Sequence, residues 1–427
     1  MRLAFHIPRS NYYRLLTPVI DEALGRGLTV ECWHDYGEAR GGSKGYLFPD
    51  QDAAPKFVNG TPAIRTYHGN DELHALLTRK PVDAIVALRP ARMVLGRGRS
   101  SPVPWALLQD SPGFFQDLTP DDLLAAAAVG VYSPHWLDWG LGVMRGRGLL
   151  NDNDPRARAI RDKARVVGFP ELDACATLDR ASIRAQLGLP NGRPVVTFMP
   201  YPYESNPPTF WSGWIYGHPW QRRGGWRQLP PPPQWMRAAM LLARGQHRYW
   251  SHVRNGWHDR NLVRAVRAFC DAAGAALLVK YREKDPLPRY VRDVADATVA
   301  EPQMWPPAVL DALAVSDLAI SFPSATTLEA AFLRVPFLCI GVDRDDWFGA
   351  TDPVWASARL DLREGGEFNF PGVVELSTIP ETIARLPRRR LADFRLDAAR
   401  RDAYVTRFVG PDDGRSAARM LDLIMET

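Results

Sequence analysis

Lysine is scarce in this chain of 427 residues: only Lys44, Lys56, Lys80, Lys163, Lys280 and Lys284 occur, and arginine makes up the rest of 53 basic side chains. Set against 48 acidic residues the net charge is only +5, too small an excess to read as a nucleic-acid footprint, although a basic surface facing phosphates or anionic lipid stays open. Cysteine is rarer still. Cys32, Cys175, Cys270 and Cys339 are far apart in apolar contexts, with no CxxC or Cys/His ligand spacing, so they read as buried thiols rather than a disulfide framework or a metal site. No apolar run approaches the roughly 18 residues needed to cross a bilayer, and the opening Met1–Ile7 is too short for a signal peptide before Pro8 and Arg9. A cytoplasmic location is expected, with peripheral attachment at the inner face of the membrane as a variant of it. With 46% hydrophobic and 24% charged positions, disorder and collagen-like repeats are excluded, and the length suits two domains.

What is present is an alternation of short apolar strands with amphipathic helices. Residues 3–7, 28–33, 83–88 and 103–108 are strand-like and almost continuously apolar, as buried parallel strands must be. Leu15, Leu16, Val19, Ile20, Ala23 and Leu24 share one helical face. Thr119-Pro120-Asp121-Asp122 is a helix start with a capping hydroxyl, an N1 proline and carboxylates at the positive dipole end; Gly130 is expected to end that helix before a strand at Val131–Ser133. A second alternating series runs from Pro194–Met199 through a helix opening at Asp259, a strand at 275–280, a helix at 308–315 and strands at 317–321 and 336–340. The expectation is therefore an α/β chain of two Rossmann-like doubly wound domains facing across a cleft, where ligands bind at carboxyl strand ends. The boundaries read as 1–168, a connector at 169–193, a second domain at 194–410 and a closing helix at 411–427. Residues 202–258 interrupt the second domain with seven of the fourteen tryptophans, the Pro230–Pro233 run and many arginines. That insertion suits a glycan surface, a membrane interface, or simply a flap packed on the body of the protein.

The segment most informative about chemistry runs from Val315 to Gly341: strand, polar turn, helix, strand. Ser324, Thr326 and Thr327 lie where the helix opens, and free backbone N–H groups with hydroxyl donors there can hold a diphosphate. Glu329 follows within about one turn and can accept both hydroxyls of a ribose, or merely compensate the helix dipole. No GxSxG, Walker A, HExxH or DxD-like metal pattern stands out; Asp121-Asp122 and Asp345-Asp346 read as helix-start or loop carboxylates. Neither a metal nor a cofactor is expected.

Ser321 to Pro336 resembles the nucleotide-binding stretch of GT-B transferases, particularly the CDP-glycerol glycerophosphotransferase (teichoic-acid polymerase) family, "I-T-D-Y-S-S-x-x-x-D-x-x-x-x-x-K-P". Ser324 matches the first serine of the pair and Ala325 replaces the second; Glu329 stands at the family's aspartate, where glutamate is typical of UDP-GlcNAc 2-epimerases. Val166–Asp173 resembles "T-G-Y-P-R-x-D", Gln186–Pro200 resembles "K-L-G-I-P…I-L-Y-A-P-T", and Asp413–Arg419 resembles "D-G-K-A-S-E-R". Where the family has "K-P-H-P", this chain has Lys280-Tyr281-Arg282-Glu283. The lysine survives without the histidine, and Lys280 and Arg282 could neutralise the donor phosphates; Met304 is a further donor-binding candidate. At the family's "W-H-G-T-P" stands Leu107-Leu-Gln-Asp-Ser-Pro-Gly113, placing Asp110 where the resemblance implies a base; burial would have to raise its pKa for work at neutral pH. An Asp-Ser-Pro turn residue is the alternative. His6 and His135 are further candidate bases, and Arg9 and Arg14 candidate acceptor anchors, because the loop after the first strand often faces the acceptor in GT-B folds. The resemblance implies a metal-independent transferase that moves a sugar or polyol-phosphate from a nucleotide-sugar or CDP-polyol donor to a cell-envelope glycan or lipid-linked acceptor, with no nucleic acid involved and an anionic membrane surface as a possible partner. A non-hydrolysing nucleotide-sugar epimerase and a catalytically silent nucleotide-sugar-binding protein are the competing readings.

Overall fold

A computed structural model describes residues 1–36, 55–79, 82–96, 98–200, 259–282, 287, 289–301, 305–341 and 362–426. The tryptophan-rich stretch 202–258, Met304, Asp345-Asp346 and the side chain of Arg282 lie outside the described residues. The chain forms two compact units, Met1–Thr177 with Gln303–Pro307 and Val405–Thr427, and Leu178–Pro302 with Ala308–Tyr404.

Among the described residues of the first unit seven strands form one sheet, with β1 at Arg2–Ile7, β2 at Thr29–Asp35, β3 at Ala63–Tyr67, β4 at Ala84–Ala87, β5 at Trp105–Leu108, β6 at Ala128–Val131 and β7 at Ala164–Val166. Their order is β3-β2-β1-β4-β5-β6-β7, every pairing is parallel, and the winding direction reverses between β1 and β4. The near-continuous apolar strands are explained by this: β4, β5 and β6 are buried along their whole length, covered on both faces as parallel sheets are. Helix Tyr13–Gly25 packs Tyr13, Leu16, Val19, Ile20 and Ala23 into the same core. Thr119 and Asp122 form a reciprocal capping box for helix Pro120–Ala125, and Arg92 grips Asp122 with two bonds of 2.8 Å.

Gly130 does not end that helix. It sits inside β6, where a Cβ would come within 2.7 Å of Met420 Sδ and 3.1 Å of Val167 Cγ2, so the glycine makes room for the last helix rather than for a turn. That helix, Ser416–Met425, contributes Ala417, Met420, Leu421, Leu423 and Ile424 to the first unit's core. The stretch expected as a connector is ordered. Pro170–Thr177 forms a 3-10 stretch within the first unit, and helix Arg180–Gln186 belongs to the second.

The second unit repeats the scheme with β8 at Val195–Met199, β9 at Ala276–Arg282, β10 at Ala297–Glu301, β11 at Leu318–Ser321, β12 at Phe337–Gly341 and β13 at Val374–Thr378. The order is β10-β9-β8-β11-β12-β13, again all parallel, and the reversal falls between β8 and β11. Leu262, Val263, Val266, Phe269 and Cys270 of helix Asp259–Ala272 pack against Val196, Phe198, Leu277 and Val279 of its sheet. β10 and β13, at the two edges, had no clear signal in the sequence.

Candidate functional site

In the second unit the chain leaves β11 beside the β8/β11 reversal, turns at Phe322–Ala325, and enters helix Thr326–Phe332. The hydroxyl of Ser321 donates to Met199 O at 2.7 Å, tying the ends of the two neighbouring strands. Ala325, already helical, stands at the cap position without a side-chain bond, and Ser324 takes over: its Oγ accepts from Thr326 N–H at 3.3 Å. Its carbonyl accepts from Thr327 N–H at 3.2 Å and Thr327 Oγ1 at 3.0 Å. The three expected hydroxyls thus separate. Ser324 and Thr326 are half-buried, whereas Thr327 is wholly buried with its hydroxyl already donated inward. Glu329 is also buried, with 2% of its surface exposed, so a ribose could reach this carboxylate only after its surroundings had moved aside. At the other end of the helix buried Arg401 donates to Ala331 O (2.9 Å) and Phe332 O (2.7 Å), satisfying carbonyls that helix geometry leaves open.

Glu367, absent from the sequence-derived candidates, completes this neighbourhood. It is buried, 3.5 Å from Thr327 Oγ1, and its carbonyl accepts from the hydroxyl of Tyr404 at 2.9 Å. Burial, reinforced by Glu367, pushes the Cys339 thiol and the Tyr404 phenol well above their usual ranges. No motif flags Glu367, because a Gly-Gly-Glu-Phe turn resembles any loop.

Lys280 is placed differently from the expectation. Its Nζ lies 2.7 Å from Glu301 Oε2, both side chains are about nine-tenths buried, and Glu301 also accepts from Ala308 N–H at 3.1 Å. An internal carboxylate therefore neutralises the lysine that was expected to meet donor phosphates. Arg282 ends β9 opposite Glu301 in register.

The carboxyl edge of the first unit gathers the other candidates. Asp110 lies just beyond β5, its Oδ2 3.1 Å from Arg89 Nη2 and its Oδ1 accepting from Ser111 Oγ at 3.2 Å. Burial raises its pKa above the usual carboxylate value, while the Arg89 guanidinium pulls it down. Arg89, the first residue but one after β4, was missed; an arginine after an apolar run carries no signal until β4 and β5 are known to be neighbours. His6 is enclosed near the end of β1, 1% exposed, with Nε2 2.7 Å from Tyr67 Oη and its ring beside Trp105. An enclosed strand-end histidine describes it better than a base open to substrate. His135 opens helix Pro134–Gly146, half-buried, edge-on to Trp136 and Phe408. Arg14 is engaged rather than presented: Nε and Nη2 lie 2.7 and 2.6 Å from Glu171 Oε1, joining helix Tyr13–Gly25 to the 3-10 stretch Pro170–Thr177. Arg9 leaves β1 in extended conformation, half-buried, just before the 3-10 turn Ser10–Tyr12.

Among the described residues no group of three His, Cys, Asp or Glu could hold a metal ion, and no helix is long and apolar enough to cross a membrane.

No protein-family model matches this chain, and no curated protein matches it. Solved structures do. The wall teichoic acid polymerase TagF is 10% identical, with a TM-score of 0.57 over all of this chain and 88% of its own. A putative UDP-N-acetylglucosamine 2-epimerase from Listeria monocytogenes is 12% identical, with a TM-score of 0.51 over 99% of this chain and 94% of its own. The UDP-GlcNAc 2-epimerase of Methanocaldococcus jannaschii is 11% identical, with a TM-score of 0.50 over the whole of both chains. Identities this low speak for the fold. The chain has the GT-B fold shared by these enzymes, as the Ser321–Pro336 resemblance implied.

Proposed function

We propose that this protein is a GT-B transferase that moves a sugar or polyol-phosphate from a nucleotide-diphosphate-activated donor to a hydroxyl of a cell-envelope glycan or lipid-linked acceptor. The observation that carries the reading is the Ser324–Thr326 turn: two half-buried hydroxyls at the carboxyl end of β11, beside the strand reversal where α/β sheets bind ligands. The structural likeness to a polymerase also solved after soaking with CDPG, and to UDP-GlcNAc epimerases, supports a nucleotide-linked donor. In this reading Ser324 and Thr326 donate to the phosphates, and Glu329 receives the ribose hydroxyls once donor binding uncovers its carboxylate. Asp110 accepts the proton of the acceptor hydroxyl, whose oxygen then bonds to the donor carbon, or to phosphorus for a polyol-phosphate, as the bond to the nucleotide leaving group breaks. The leaving group departs as an anion, so donors fixed in advance around its phosphates lower the barrier more than uniform binding would. A polar acceptor at an anionic membrane surface also suits the arginine-interleaved tryptophans of residues 202–258.

A thermal-shift panel of UDP, CDP, GDP, CMP and their sugar or glycerol conjugates tests this. A ligand at a hundred times its dissociation constant stabilises by about 2.7 kcal/mol. Ser324→Ala is expected to weaken the best nucleotide by about ten- to hundredfold, the loss of one charge-assisted hydrogen bond, and to lower the melting temperature of the free protein only slightly, through the lost bond to Thr326 N–H. Stabilisation by no nucleotide would overturn the reading. Glutamate rather than aspartate at position 329 favours one alternative, an epimerase, and conversion of UDP-GlcNAc without any acceptor would establish that instead.

A further inference from the structure

We propose that Arg89 is a positioning residue for Asp110: from the end of β4 it fixes the carboxyl group that the first unit holds at the carboxyl edge of its sheet. The inference rests on the transferase reading, in which Asp110 takes the acceptor proton.

The topology makes the pair. β4 and β5 are parallel neighbours with Ala87 opposite Leu107, so Arg89 and Asp110 emerge together just past the strand ends, one strand from the β1/β4 reversal. Arg89 Nη2 holds Oδ2 at 3.1 Å and the Ser111 hydroxyl holds Oδ1 at 3.2 Å. Each carboxylate oxygen keeps a second lone pair, so the group is oriented without being saturated. Arg89 is itself fixed: Nη1 donates to Leu88 O at 3.3 Å, Tyr12 of the 3-10 turn after β1 bonds it, and Asp117, after the 3-10 turn Phe114–Gln116, adds a negative charge facing it. The side chain of Asp110 is only 11% exposed, so this pair is not screened as a surface ion pair is. Burying such a pair brings little stability over apolar packing, which leaves orientation as its benefit. The titratable and charged groups facing Asp110 are Arg89 and, through it, Asp117 and Tyr12. Arg89 favours the ionised form, the one able to accept a proton, against the burial that opposes it.

The test uses the full chain with carboxyl-13C aspartate, the Asp110 signal being assigned by its loss in Asp110→Asn, together with nucleotide release from UDP-N-acetylglucosamine and from CDP-glycerol, water taking the acceptor's place so that free N-acetylglucosamine or glycerol phosphate leaves with it. In Arg89→Gln the Asp110 midpoint should rise by about 1–3 pH units, and in Arg89→Lys by less, since lysine restores charge without the planar fork. The acid limb of kcat should move up by the same amount, about tenfold in rate per unit below the limb, with the KM for donor unchanged. A midpoint that does not move, a limb that does not follow it, or a loss confined to donor KM overturns the proposal. Turnover of neither donor by the wild type, or full turnover by Asp110→Asn, removes the underlying reading and with it any role for the pair beyond an internal ion pair; those failures show in chains where Arg89 is intact.

Discussion

Single residues of this protein repeatedly carry chemistry that their immediate neighbours in sequence do not announce. His34 is an example. It lies on β2, 6% exposed, with Nε2 2.5 Å from the hydroxyl of Tyr13, and burial pushes its pKa from 6.5 down to about 4. The unfolded chain binds a proton here below about pH 6.5 while the folded chain waits until about pH 4, so stability contributed by the neutral ring is complete above 6.5 and declines as pH falls through this window. At pH 5 the cost is on the order of 2 kcal/mol. Urea denaturation at pH 7.5 and pH 5 should show that loss in the wild type and a clearly smaller one in His34→Gln. Equal losses would mean that His34 titrates normally.

At the scale of elements, two stretches that resemble family motifs turn out to be halves of one joint. Asp173 accepts from Ser416 N–H at 3.0 Å and from Ala417 N–H at 2.7 Å, capping the last helix from 243 residues away in sequence. Arg419 returns a bond to Val167 O at 2.9 Å. Gly168, at φ +86°, lies so close that a Cβ would meet Ser416 Oγ at 2.5 Å. The Val166–Asp173 and Asp413–Arg419 segments therefore require each other, and their residue types are explained by helix capping without appeal to a ligand. Asp173→Ala should cost about 1–2 kcal/mol in chemical denaturation and speed hydrogen exchange at the first amides of helix Ser416–Met425, whereas Asp173→Asn should retain part of the cap.

For the whole molecule the consequence is that the first unit is not finished when its sheet is. The chain leaves it after Thr177, rejoins it briefly at Gln303–Pro307 and returns to it for the last time at Val405. On its return Ser133 Oγ donates to Arg407 O (2.5 Å), Trp136 Nε1 donates to Phe408 O (2.6 Å), and Met420, Leu421, Leu423 and Ile424 enter the core beside Tyr13 and Leu16. Four such side chains at about 1.5–3 kcal/mol each match the whole stability of an ordinary domain. A chain ending at Tyr404 should therefore lose the folded first unit, seen as rapid proteolysis and hydrogen exchange across residues 1–177, while residues of the β8–β13 sheet stay protected. Protection of both units in the truncated chain would show that the returning segment is dispensable.

The sequence alone determined the central strands of both sheets, their parallel character, most of the helices between them and the turn at Ser324, though not the edge strands β3, β7, β10 and β13, because apolar periodicity, caps such as Thr119 and Asp122, and a proline after a strand act over a few residues and are written where they act. It did not reveal that Lys280 faces Glu301, that Arg89 reaches Asp110, that Gly130 makes room for Met420, or that Asp173 caps a helix near the end of the chain. Those partners meet only after strands assemble in the orders β3-β2-β1-β4-β5-β6-β7 and β10-β9-β8-β11-β12-β13. Charge pairing and burial depend on distances in space, and it is the sheet order that sets those distances for residues dozens or hundreds of positions apart.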